Sequence, residues 1–327
     1  MQKVMCDLCP RRCALAEGQC GACGARMAQD GHVVAVRPGA LSAVHLDPVE
    51  KKPLHHYLPG TKTLSLGGFG CNLMCRGCQN ASISRRSSLD VGTDEVDFLS
   101  PETLVEMARQ QGAQSIAYTY NEPLVWWEFA DETAVLAHAR GLKNIMVTAG
   151  YVSPDMLEKV FAHIDAVNVD LKGFGEEFYQ TWANGTLRPV LDTIEYLHHC
   201  PHVWLELTTL IIPGQNDGRC MLESEFAWIV EHLGEDVPLH LSAFFPAWHA
   251  QEIASTPCET LWMARDLARQ AGLKYVYLGN VMEPNDTICP ECGARVIRRM
   301  GYRTDRAGLD GERCRACSAR IPGVFEG

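Results

Sequence analysis

Fifteen cysteines constrain this 327-residue chain more than any other feature, because twelve of them fall into three tight groups. Cys6, Cys9, Cys13, Cys20 and Cys23 form the first, Cys71, Cys75 and Cys78 the second, and Cys289, Cys292, Cys314 and Cys317 the third. Thiols two or three residues apart converge on one metal more readily than they reach distant disulfide partners. A secreted disulfide scaffold is usually shorter and spreads its cysteines along the chain. Bound metal in a reducing compartment is therefore expected. Cys200, Cys220 and Cys258 stand alone and read as small buried hydrophobes.

Hydrophobic residues make up 46% of the chain and charged residues 21%, which supplies a sizeable core and excludes a largely disordered protein. The net charge of −11 argues against bulk attraction to nucleic acid or an anionic membrane. No apolar run reaches the ~18 residues of a membrane span, and Met1 to Cys6 lacks a signal-peptide core. A soluble, cytoplasmic protein is the expectation.

Composition divides the chain into three. Residues 1–40 form a Cys-rich metal-binding segment with one strand at His32–Val36, residues 41–283 alternate β-rich and helical runs, and residues 284–327 return to cysteine, glycine and arginine. Strands are expected at Thr63–Gly68, Gln114–Tyr120, Asn144–Thr148, Ala166–Leu171, Val203–Ile212 and Leu239–Phe244, with a seventh run at Lys274–Leu278. Ser100-Pro101 and Ser153-Pro154 read as capped helix starts, and Glu259–Gln270 as a helix stopped by Gly272. About six βα units describe an α/β fold, a partial (β/α)6-type barrel with small Cys-rich segments at both termini, its chemistry at the C-terminal strand ends.

The C-x3-C-x2-C run of Cys71, Cys75 and Cys78 follows the first barrel strand directly. Three thiolates hold three irons of a [4Fe–4S] cluster and leave the fourth open; the alternative is a structural zinc completed by His55 or His56. With this run the chain resembles the radical S-adenosylmethionine (SAM) superfamily, in which the open iron chelates SAM and an electron from the cluster splits it to methionine and a 5′-deoxyadenosyl radical. Other strand ends match as well. Tyr120-Asn121-Glu122-Pro123 stands where the family often has Gly-Gly-Glu-Pro, Thr148-Ala149-Gly150 ends the third strand, and Asp170-Leu171-Lys172 and Ile212-Pro213-Gly214-Gln215-Asn216-Asp217 are similar to segments of pyruvate formate-lyase activating enzymes. The resemblance implies cofactor contacts at Gly77, Asn80, Glu122, Thr148, Asp170, Lys172 and Asn216. A buried ion pair for Asp170 and Lys172, and a turn for Pro213-Gly214, are the bland alternatives. Gly77 departs from the family, which usually has an aromatic residue there, so ring packing is expected to be lost.

Cys6-Asp7-Leu8-Cys9-Pro10-Arg11-Arg12-Cys13, Gly21–Arg26, Asp47–Leu54, Thr119–Pro123 and Cys289–Pro322 look like the radical enzyme of the AmmeMemoRadiSam system. That resemblance implies Memo-type and AMMECR-type partners and a low-potential electron donor such as ferredoxin or flavodoxin. Phe245 stands where that branch usually has histidine. Glu50, Lys51, Lys52, His55 and His56 read by default as a solvated charge run, and otherwise as a segment lining the barrel mouth.

Cys289, Cys292, Cys314 and Cys317 have the spacing of a four-cysteine zinc ribbon, structural because no coordination position stays open. Between Glu291 and Arg320 the ribbon carries eight arginines against four acids, either a solvated surface or a grip for a protein or RNA. Cys6, Cys9, Cys13 and Cys23 match the family spacing, for zinc or for an auxiliary iron–sulfur cluster, with Cys20 spare. The expectation is thus an enzyme with a [4Fe–4S] cluster, SAM and two zincs. It acts on an unidentified substrate, as a glycyl-radical activating type or on RNA or a small molecule. A non-catalytic zinc-binding adaptor is the rival.

Overall fold

Alternating β-rich and helical runs assemble around one eight-stranded sheet in the computed structural model, which describes residues 3–92 and 96–326. Strand β1 (Ala43–Pro48) runs antiparallel to β2 (Lys62–Gly67). Six strands then continue in parallel and in chain order: β3 (Ser115–Tyr118), β4 (Lys143–Thr148), β5 (Ala166–Asp170), β6 (Trp204–Ile211), β7 (Leu239–Ala243) and β8 (Val276–Gly279). The crossovers carry α1 (Pro101–Gln110), α2 (Trp127–Ala139), a short turn at Leu157–Val160, α3 (Arg188–His199), α4 (Arg219–Leu233) and α5 (Cys258–Gln270). Parallel strands covered on both faces need near-continuous apolar runs, and all four residues of β3 are buried. At Ser100 the side chain accepts the Thr103 N–H (3.2 Å) and Pro101 presets the first turn, so α1 starts there and buries Leu104, Val105 and Ala108.

The partial barrel matches the fold class read from the sequence. Lys274–Leu278 supplies the seventh parallel strand, and β1 is an addition. Its alternating Ala43-Val44-His45-Leu46-Asp47-Pro48 has too few apolar residues to stand out. Ser153 opens only a short helical stretch and makes no side-chain cap; its N–H instead bonds the Leu8 carbonyl (2.9 Å) and pins the N-terminal segment to the barrel. That segment holds two hairpins, Val4–Met5 with Ala14–Leu15 and Arg26–Gln29 with His32–Ala35, where one strand was expected. Cys220 and Cys258 are exposed, contrary to their reading as buried hydrophobes, because each sits in the first turn of a helix with the apolar stripe on its other side; Cys200 is half-buried.

The largest correction concerns residues 49–58. This stretch is no solvated charge run: Glu50, Lys52, His55 and His56 are buried, and only Lys51 is exposed. Val49, Leu54, Tyr57 and Leu58 pack against Ala117, Ile145 and Ala166 and plug the N-terminal end of the barrel. The C-terminal module, with its own core of Val296, Ile297, Leu309, Ile321 and Phe325, closes over the plug. Tyr57 bridges to Val324, Leu58 N–H bonds the Val324 carbonyl (2.7 Å), and Val324 N–H bonds the His56 carbonyl (2.8 Å). Arg299, expected on a solvated ribbon surface, is buried and donates to the His55 carbonyl (2.5 Å). No helix among the described residues is long and apolar enough to cross a membrane.

Candidate active site

The loop leaving β2 is fixed by its backbone. Gly70 adopts φ +81°, and a side chain there would collide with the Cys23 carbonyl oxygen. That close approach lets Cys71 N–H bond the same carbonyl (3.1 Å). Met74 and Arg76 donate to the carbonyls of Ala183 (2.8 Å) and Trp182 (3.0 Å), on the π-helical turn Tyr179–Ala183. Arg11 reaches in from the N-terminal segment to the Asn72 carbonyl (2.6 Å).

Cys71, Cys75 and Cys78 thereby face a cavity of about 280 Å³ at the C-terminal strand ends, together with Gly77, Asn80, Glu122, Asp170 and Lys172. Lys172 Nζ donates to Asp170 Oδ2 (2.6 Å). Burial opposes the ammonium, but attraction to Asp170, with Cys75 and Tyr179, outweighs it and raises the Lys172 pKa. Glu122 is fully buried and accepts Thr148 Oγ1 (2.6 Å), Ala149 N–H (2.9 Å) and Leu124 N–H (3.2 Å). Burial pushes its pKa up to about 7, with these three donors holding it down. Asn80 lines the cavity and donates to the Tyr120 carbonyl. Tyr120 itself takes φ +74° at the position where the family often has glycine.

Two of the expected contacts stand behind the lining. Thr148 spends its hydroxyl on Glu122, and Asn216 spends its amide on the carbonyls of Lys172 (2.9 Å) and Leu210 (2.8 Å) and the N–H of Ile212 (2.6 Å). Both brace residues that face the cavity. Gly77 carries a physical reason for its departure from the family. A Cβ there would lie 2.8 Å from the rings of both Trp182 and Phe244, so rings from elsewhere in the chain already fill the space. Sequence reading missed Trp182, for which no local signal exists. It also missed Thr208 and Ser242, which β6 and β7 turn inward beside Leu210 and Ile212 at the period of a strand.

The cavity fits an iron–sulfur cluster with a polar ligand. All three cysteines line one space, as ligands to the irons of one cluster must. Burial, with Glu122 adding to it, pushes the Cys71 thiol up, so metal binding there releases a proton. Asn121 and Thr208 line the cavity, and their Oδ1 and Oγ1 atoms are buried with no partner among the described residues.

The C-terminal cysteines are arranged differently. Cys289 and Cys317 sulfurs lie 3.6 Å apart and those of Cys292 and Cys314 3.7 Å. A tetrahedral ion with metal–sulfur bonds of about 2.3 Å sets its sulfurs about 3.8 Å apart. Among the described residues this is the one group of three or more Cys, His, Asp or Glu whose ligand atoms all lie within 4.8 Å. Cys6, Cys9, Cys13 and Cys23 are neighbours without that spacing: burial raises the Cys9 pKa to about 11, with Cys6, Cys23 and Cys13 adding to the shift. Cys20 lies apart in a bridge to Met27 and feels Asp90.

A partial βα barrel with three cysteines in the loop after its first parallel strand defines a class of iron–sulfur enzyme. A family profile described as the radical SAM superfamily matches residues 66–222. The uncharacterized protein MJ0808 of Methanocaldococcus jannaschii is 40% identical over 325 residues, 98% of this chain and 95% of that protein. MJ1632 of the same organism, named as a candidate glycyl-radical enzyme activating enzyme, is 24% identical over 154 residues, 46% of this chain and 56% of the relative. A solved domain of pyruvate-formate lyase-activating enzyme from Bacteroides vulgatus is 14% identical, with 51% of this chain and all of that domain aligned at a TM-score of 0.45. The chain belongs to the radical SAM superfamily, is an enzyme, and is related to the glycyl-radical activating enzymes. Membership implies a [4Fe–4S] cluster and SAM, and it retires the adaptor reading.

Proposed function

We propose that the protein cleaves SAM reductively and abstracts hydrogen from a substrate, as part of an AmmeMemoRadiSam-type system. A [4Fe–4S] cluster and SAM, when bound, would supply the electron and the radical chemistry. Cys71, Cys75 and Cys78 hold the cluster. The carrying observation is that one cavity gathers these thiols with Glu122 and the Asp170–Lys172 pair. Lys172 offers its ammonium to a carboxylate, Glu122 and Asp170 offer acceptors to an amine, and Thr148 and Asn216 keep them aimed. The Gly77 backbone and the Trp182 ring, which also faces the cavity, form a wall for a flat heterocycle. Buried walls exclude water that would quench a radical.

The C-terminal sulfur spacing supports zinc in a structural role. The N-terminal cysteines take zinc or an auxiliary cluster, and the Cys23–Cys71 backbone contact puts whichever metal they hold beside the catalytic loop. The test is oxygen-free purification, counting of iron, sulfide and zinc, and reduction with a ferredoxin or flavodoxin in the presence of SAM. Four irons or more, with 5′-deoxyadenosine formed, support this reading; zinc alone after reconstitution, with no cleavage, sinks it.

A further inference from the structure

Beside the cofactor cavity, where the plug, β7, β8 and the C-terminal module meet, lies a second chamber of about 480 Å³. The two share Pro53, Ser242 and Asn280 as wall residues. Its wall includes His55 of the plug, His240 of β7 and Leu278 of β8; the His55 and His240 rings meet edge-on at 4.6 Å, and Tyr277 backs His55 at 4.5 Å. Glu206, fixed beneath them, is saturated by the N–H groups of His55 (2.9 Å) and His56 (2.7 Å), Trp204 Nε1 (3.0 Å) and His240 Nε2 (2.7 Å).

Three wall residues are not saturated. Glu50 Oε2, His55 Nδ1 and Arg299 Nε are buried and have no partner among the described residues. Arg299 is 3% exposed, and its other nitrogens donate to the carbonyls of Asn285 (2.9 Å) and His55 (2.5 Å) and to Thr287 Oγ1 (2.8 Å). No carboxylate among the described residues lies within ion-pair distance of it, although a buried guanidinium without one is costly. Glu50 Oε1 is occupied by Gly60 N–H (2.6 Å) and Thr304 Oγ1 (2.6 Å), which leaves its second oxygen short of a donor. Lys51 is held by Asp47 (2.9 Å). Burial first, then Arg299, holds His55 neutral, so its ring nitrogen contributes a hydrogen bond without charge. The chamber opens past the fully exposed Met282 and the exposed Tyr302.

We propose that this chamber binds the substrate, a small organic molecule with an acid group for Arg299 and an amine or hydroxyl donor for Glu50, and presents its middle toward the cofactor cavity through the Ser242 side. The volume suits such a molecule, and Arg299 and Glu50, both in the wall, each keep one buried polar atom without a partner among the described residues. This deepens the radical reading of the neighbouring cavity and rests on it for the word substrate.

The test uses the full-length, metal-loaded protein and three probes: 4-aminobutyrate, butyrate and butylamine, titrated by ligand-observed NMR. The zwitterion is expected to bind tightest. Arg299→Gln is expected to weaken 4-aminobutyrate and butyrate about tenfold and spare butylamine, and Glu50→Gln to weaken 4-aminobutyrate and butylamine. Arg299 is buried, so Tyr302→Asp at the exposed rim serves as a second variant. It sets a like charge in the path of butyrate, for about a threefold loss, and leaves butylamine unharmed. No saturable binding, or all variants binding as the wild type does, overturns the proposal. Wild-type 5′-deoxyadenosine formation is measured alongside. Its absence with selective probe binding counts against the radical reading and upholds the chamber; cleavage without probe binding removes the chamber alone.

Discussion

The cysteines of the barrel and those of the C-terminal module show what separates a metal site that reacts from one that holds. In the module four sulfurs stand 3.6 and 3.7 Å apart in pairs, with Cys292 and Cys317 exposed, and a single tetrahedral ion there would use all four. In the barrel three thiols spread around a polar cavity with an ion pair and a buried carboxyl facing them. One arrangement is closed and tolerates solvent. The other leaves room for a ligand beside its half-buried thiols. Donor count and the adjoining cavity, rather than the cysteine spacing alone, carry the difference.

The sharpest way to break this comparison is to remove one ligand from the barrel. Cys75→Ala is expected to cut SAM cleavage by about 10³-fold, equivalent to about 4 kcal/mol, with the metal content of the C-terminal module unchanged, as read by 5′-deoxyadenosine and metal analysis. Next in size is a charge that neither site pairs. Glu225 is fully buried, among the described residues accepts only Thr209 Oγ1 (2.5 Å), and burial pushes its pKa up to about 8. Its folded form holds a proton more tightly than the unfolded chain, so stability falls as pH rises from about 4.5 to about 8. Glu225→Gln removes that slope and gains roughly 3 kcal/mol at pH 7 and nothing below about pH 4; parallel pH–melting curves for the two proteins check it. At the cavity, Lys172→Met leaves Asp170 unpaired and is expected to raise the KM for SAM about thirtyfold, with iron content unchanged. The smallest effect is expected from the module. Cys314→Ser should release its metal, expose the amides of Leu54–Leu58 to hydrogen exchange and lower cleavage about fivefold. A loss as large as that of Cys75→Ala would erase the distinction between the two sites.

The parallel strands were legible because burial on both faces leaves apolar runs in the sequence, and the cysteine loop was legible because three thiols at that spacing have few other uses. Residues 49–58 were not legible. Their charges look solvated until their partners are seen, and those come from Asp47, Thr304 and the Val324 region, mostly far along the chain. The rings at Gly77 pose the same difficulty, since Trp182 and Phe244 lie more than a hundred residues downstream. Local patterns reveal local structure. Contacts that close a fold over long separations leave no mark that a single sequence displays.

Those long separations also dictate an order of assembly. The Arg299–His55 bond joins positions 244 residues apart, whereas each βα unit closes within a few tens of residues. Loop closure delays such contacts, and a native state that depends on them is reached slowly. The sheet is expected to form first and the seal between plug and C-terminal module last, so that in a pulse-labelled refolding experiment the amides of Tyr57, Leu58 and Val324 gain protection in the final phase. Until then the inside of the barrel stays open to the medium, a period in which iron and sulfide reach Cys71, Cys75 and Cys78 before the walls close around them.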